Sequence, residues 1–158
     1  MIMVKLPLSS LVVASYIATL CDKKRFDRNN TKIQKLLYCC YGCTLAAFNE
    51  RLCDEHPCAW RYGPVFPSVF RHIRKDFLFP INACECGISE VMKPFLEKVI
   101  DAFGQYSASR LTAWSHKPNS PWDIVINEMH SPNGIIPDDL IRKYFSDEKI
   151  VVMDEKNA

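Results

Sequence analysis

From Ile33 onward, Leu36, Leu37, Cys40, Thr44, Leu45 and Phe48 return every three or four residues. That period belongs to an α-helix with a buried face. Thr31 and Gln34 stand at capping-box spacing at its start. A helix this long and apolar needs other apolar elements around it, so it predicts a helical core with itself at the centre. Leu8 to Leu20 reads as a first helix, capped by Ser9 or Ser10 and running to about Lys23. Ser89 and Glu90 open another through Phe103, which Gly104 ends. A short helix covers Ser107 to Trp114, and Pro121 starts one through Glu128. The last begins at Pro137-Asp138-Asp139, with Arg142 and Lys143 toward its end, as the helix dipole favours. Residues 51–62 alternate weakly around Pro57 and predict a short strand or extended arm. Phe77 to Gly87 reads as a loop, and Ile150 to Met153 could pair as a strand. The expected fold is mainly α: a compact single-domain helical bundle over residues 1–146, with a small β-hairpin or short strands around residues 51–62. Residues 147–158 form a tail.

At 158 residues, with 48% of them hydrophobic, the chain can bury the core of one domain. The net charge of +2 points to no partner class, but its distribution is uneven. Residues 1–80 hold 12 Lys/Arg against 6 Asp/Glu, and residues 81–158 hold 8 against 12, which predicts one basic and one acidic face. Eight cysteines would suit a disulfide framework. However, Cys39, Cys40 and Cys43 crowd one helical segment whose side chains diverge, so reduced, buried thiols in a cytoplasmic protein are expected. The apolar run at Leu8 is too short and too interrupted to span a bilayer, and its flanks make a poor leader.

The segment AWRYGPVFPSVF, Ala59 to Phe70, places Trp60, Tyr62 and Phe66 around a Gly63-Pro64 break, with Pro67 behind it. Glycine supplies backbone freedom and the prolines fix φ and oppose a regular ladder, so the aromatics sit on a rigid turn. Pro67 suits the first turn of a helix with Val69, Phe70 and Ile73 on one side and Arg71, Arg74 and Lys75 toward another. Rigid aromatics beside cations suit a recognition surface. The same residues would also serve as a plain core corner.

Chemistry is sparse. Cys53, His56 and Cys58, with Cys84 and Cys86, lack the spacing of a zinc ribbon or finger, and buried or incidental thiols are the expected state. Cys40 and Cys43 make a CxxC pair, but mid-helix rather than at the helix N-terminus where a dipole would activate the thiol. His116 with Ser115 or Asp123 has no nucleophile elbow or glycine-rich oxyanion loop beside it. A structural anchor is expected instead, with His116 hydrogen-bonded and Trp122 packed on the core. No catalytic residue, metal or cofactor is expected.

In order, TKIQKLLYCCYG, AWRYGPVFPSVF, SASRLTAWSH with its following SPW, and IIPDDLIRKYF resemble the Panacea domain, the family of SocA-like antitoxins often described as phage-associated proteins. The resemblance covers most of residues 8–145. Lys35, Leu36, Tyr38 and Gly42 match its central-helix signature. Trp60, Tyr62, Gly63, Pro64, Val65, Pro67 and Ser68 match the corner, and Leu111, His116, Pro121 and Trp122 the later motif. Cys39, Cys40, Cys43 and Ser115 depart from the usual residues while preserving burial. The resemblance implies a mostly helical, non-enzymatic domain that neutralises a cognate protein toxin, encoded by a neighbouring gene, by direct protein–protein binding. Tyr62, Phe66, Arg71 and Arg74 are the expected contact anchors, while Trp60, Gly63 and Pro64 shape the corner from inside. A nucleic-acid-binding regulator and a proteolytic adaptor are the alternatives. Low net charge and the lack of a recognition motif disfavour nucleic acid. A homo-oligomer is compatible with the sequence, and no membrane partner is expected.

Overall fold

Helix α2 (Asn30–Phe48) runs through the middle of the molecule, and every residue from Lys32 to Leu45 is buried. Helix α1 (Ser10–Lys24), α3 (Pro67–Lys75), α4 (Met92–Phe103), α5 (Ala108–Ser115) and α7 (Asp138–Asp147) pack around it. The sequence predicts a buried stripe on α2; the structure buries its whole circumference, including Lys32, Gln34, Lys35 and Thr44. A computed structural model describes residues 5–75 and 87–147, the side chains of residues 74 and 75 excepted. The expected loop at Phe77 to Gly87, apart from Gly87, and the strand expected at Ile150 to Met153 lie outside those residues. The described molecule is mainly helical with one small antiparallel sheet.

The capping box expected at Thr31 and Gln34 does not form. Asn29 caps α2 instead, its side chain accepting the Lys32 N–H at 2.9 Å. Gln34 cannot reach back, because its amide is committed to the backbone of Phe66. Ser9 caps α1 as expected, and Arg25 closes that helix in the left-handed conformation. Lys24 at the end of α1 ties it to α4 through Glu97 at 2.9 Å and Asp101 at 2.6 Å. The helix that begins at Pro121 changes character partway: α6 (Pro121–Asp123) passes into a π-turn over Ile124–Glu128.

The hairpin expected around residues 51–62 forms at the end of that stretch and runs just past it. Strand β1 (Cys58–Trp60) pairs antiparallel with β2 (Gly63–Val65), leaving only Arg61 and Tyr62 in the loop. Pro64 enters the ladder opposite Ala59, although proline has no N–H to donate. Antiparallel pairs alternate between bonded and non-bonded positions. Ala59 spends its N–H on Gly134 O and its carbonyl on Asn133 N, both at 2.8 Å, so nothing is asked of Pro64. β1 is therefore flanked by β2 on one edge and the 133–136 segment on the other. Residues ahead of the hairpin form the extended arm: Leu8 N–H donates to Leu52 O at 2.7 Å, and Asp54 N–H to Leu8 O at 2.9 Å.

Helix α7 crosses α2 where Gly42 leaves room for the Phe145 ring, which a Cβ there would strike. Phe145 also meets Tyr38 and Trp114 edge-on, at 5.6 and 5.9 Å between ring centres. In an ordinary helix Gly→Ala is stabilising by about 0.5–1 kcal/mol. At Gly42 the sign should reverse, with a loss of about 1–3 kcal/mol from overpacking. A urea midpoint for Gly42→Ala equal to or above that of the parent would refute this contact.

Among the described residues, Cys21, Cys39, Cys40, Cys43 and Cys53 are buried as thiols and Cys58 is half-buried. Among the described residues no helix is long and apolar enough to cross a membrane.

Candidate functional site

The two-residue loop of the hairpin is the most exposed aromatic point of the described surface. Tyr62 is 66% exposed, with the Arg61 guanidinium 5.5 Å from its ring centre. Its display follows from what lies beneath it. Gly63 takes φ +118°, a region open to glycine, and a Cβ there would come within 2.6 Å of Lys35 Cε. Lys35 fills the space under the turn, donating from Nζ to Pro64 O at 3.3 Å. Burial lowers its pKa to about 8, with no carboxylate among the causes. Beside it, His116 stacks on Trp122 with centres 3.8 Å apart and planes 10° from parallel. Trp122 Nε1 donates to Trp60 O at 2.6 Å, so the later motif holds β1 from behind. Desolvation lowers the His116 pKa, nearby Lys35 adds to this and the backbone at Tyr62 opposes it. Its Nε2 is buried with no hydrogen-bond partner among the described residues, so the ring anchors by stacking rather than by the hydrogen bond expected there. His116 and Trp122 thus buttress the corner, with Ser120 capping the helix that starts at Pro121 by accepting the Asp123 N–H at 3.2 Å and donating to Ser115 O at 3.0 Å.

The four expected contact residues separate. Tyr62 is displayed, and Arg71 is exposed on α3, its Nη2 3.4 Å from Ser68 Oγ. Arg74 lies in α3, but its side chain is outside the described residues. Phe66 is not displayed: it is 0% exposed and meets Tyr41 edge-on at 5.5 Å. The reason is a backbone lock. Gln34 accepts the Phe66 N–H at 2.8 Å and donates to the Phe66 carbonyl at 3.3 Å, turning the side chain into the core. Trp60 is half-buried against Phe70, at 5.0 Å and 70°; Pro64 and Val65 are buried. Leu36 and Tyr38 are core residues of α2, and Pro67 is the first residue of α3.

An apolar groove of about 410 Å³ opens beside the hairpin, walled by Trp60, Tyr62, Val65, Phe70 and Ile73, with Lys35 in its lining. Sequence reasoning missed Gln34 as the residue that turns Phe66 inward, because its spacing from Thr31 reads as a cap. Among the described residues no group of three His, Cys, Asp or Glu side chains could hold a metal ion. The CxxC thiols are buried, which pushes the pKa of Cys40 well up and that of Cys43 to about 12, the reverse of what a redox nucleophile needs.

A family model for the SocA-like antitoxin, Panacea domain, matches residues 33–123. That span takes in α2, the hairpin and the His116–Trp122 buttress. Antitoxin SocA of Caulobacter vibrioides (strain NA1000 / CB15N) is 30% identical over 148 residues, covering 78% of this chain and 75% of its own length. No solved structure matches the chain. The chain belongs to the family of SocA-like antitoxins that carry the Panacea domain.

Proposed function

We propose that this protein is a non-enzymatic cytoplasmic antitoxin that neutralises a cognate protein toxin by direct binding, with the Arg61–Tyr62 tip at the contact. The reading is carried by its likeness to Antitoxin SocA over three-quarters or more of both chains. The exposed tyrosine supports the placement: aromatic and arginine side chains on rigid turns contribute most where interfaces are built. The Lys35 packing, the Gly63 turn and the Trp122 hydrogen bond hold the loop before any partner arrives.

The test is co-expression with the product of the adjacent gene. The intact chain should restore growth and co-purify with that product. Tyr62→Ala should weaken the complex roughly tenfold or more while changing stability by no more than about 0.5 kcal/mol. Growth arrest that this chain does not relieve would refute neutralisation. Relief by disappearance of the toxin, with no stable complex, would place the protein with the proteolytic adaptors.

A further inference from the structure

The groove beside the hairpin does not end there. It shares Thr31 and Tyr62 with a second depression of about 500 Å³ over the start of α5. That one shares Ala113 with a third, of about 420 Å³, walled by Phe103, Tyr106 and Trp114. The three form one track from the β2–α3 corner, past the Tyr62 tip and across α5 to the end of α4. Its charge has a single sign. Lys35, Arg61, Arg110 and Lys117 line it, and no aspartate or glutamate does among the described residues. Arg61, Arg110 and Lys117 are exposed, and among the described residues none has an ion-pair partner. Arginines elsewhere do pair: Arg28 with Asp22 and Arg142 with Asp139, both at 2.7 Å.

We propose that this track is the seat of an extended acidic segment of the protein partner, whose aromatic or aliphatic side chains enter the three depressions while its carboxylates meet Arg61, Arg110 and Lys117. This rests on the antitoxin reading above and deepens it by naming the chemistry of the segment bound. Two points along the track repeat one arrangement, an arginine over an exposed tyrosine: Arg61 on Tyr62 at 5.5 Å and Arg110 on Tyr106 at 5.2 Å. A guanidinium held by a ring is oriented in advance for a carboxylate, so less freedom is lost on pairing. Polypeptide fits better than nucleic acid. Tyr62, Phe70, Phe103 and Trp114 make hollows sized for one or two large side chains, whereas a phosphate backbone wants a denser row of cations.

The experiment uses the full chain and three probes of equal length. One is a blocked peptide alternating aspartate with phenylalanine and leucine, one is its lysine-for-aspartate counterpart, and one is an oligodeoxythymidylate. Anisotropy should show that the acidic peptide binds, more weakly as salt rises. The basic peptide should not bind. The double variant Arg110→Glu with Lys117→Glu should weaken the acidic peptide about tenfold or more, since like charges now face each other. Both residues are exposed, so the melting temperature should stay near that of the parent. Failure of the acidic peptide to bind, or equal binding to parent and double variant, overturns the track. Tighter binding of the oligodeoxythymidylate overturns the polypeptide assignment. If the variant still relieves the neighbouring toxin as the parent does, the track falls and the antitoxin reading stands. If the parent relieves nothing, it is the antitoxin reading that falls.

Discussion

Phe66→Ala should destabilise the protein by about 3–5 kcal/mol, as expected when a fully buried aromatic is truncated in a close-packed core. For a domain of this size that is a fall in melting temperature of roughly 6–20 °C. The side chain is 0% exposed, its ring meets Tyr41, and both backbone polar groups are taken by the Gln34 amide. Toxin binding per folded molecule should be unchanged, the opposite of what is expected of Tyr62→Ala. Paired melting and binding measurements on the two variants separate the roles. A Phe66→Ala protein that melts like the parent but no longer binds would return Phe66 to the contact surface.

Stability should fall steeply in mild alkali under reducing conditions. Burial raises the thiol pKa of Cys21, and raises those of Cys39, Cys40 and Cys53 well up and that of Cys43 to about 12. In the unfolded chain these thiols ionise near pH 8.5, at about that value for free cysteine. Below that pH both states are protonated and the stabilisation is whole. Above it the unfolded chain releases protons that the fold retains, so each thiol removes about 1.4 kcal/mol per pH unit. Tyr38 and Tyr41, also pushed up by burial, add to the loss at higher pH. Lys35 has the opposite sign. With its pKa lowered to about 8, the fold gives up that proton before the unfolded chain does, and stability gains between there and the ordinary lysine value. One such group cannot offset five buried thiols. Urea midpoints should therefore drop by several kcal/mol equivalents between about pH 8 and about pH 10, more steeply in Lys35→Met. A flat profile, or rapid reaction of more than three of the eight thiols in the native protein with a disulfide reagent, would contradict the burial.

Much of the architecture was legible because its signals are local. The period of Ile33, Leu36, Leu37 and Cys40 places α2, Ser9 and Ser107 mark helix starts with side-chain caps, and Gly104 ends α4 in ordinary helical backbone where a Cβ would strike Phe26. The exact bounds of the hairpin and the absent capping box escaped for one reason. Short strands and caps are decided by whichever partner satisfies a backbone group, and here those partners, Asn133, Gly134 and Phe66, are distant in sequence. The site was half legible. Tyr62 at a Gly-Pro turn reads as displayed, and it is. The uneven charge of the two halves predicted a basic face from residues 1–80, yet the track draws Arg61 from that half and Arg110 and Lys117 from the other.

By itself the order of residues determined a helical domain around one long apolar helix, a stiff aromatic corner, reduced cysteines as the simplest expectation, and kinship with a family of antitoxins. Periodicity, backbone restriction and motif order are all properties of neighbours along the chain. The tertiary structure alone decided which aromatic faces outward. Phe66 and Tyr62 are four residues apart on one turn, and a single glutamine amide from another helix sends the first into the core while a lysine beneath Gly63 leaves the second in solvent. Burial depends on what the rest of the fold brings to each residue, and that lies beyond the reach of local pattern.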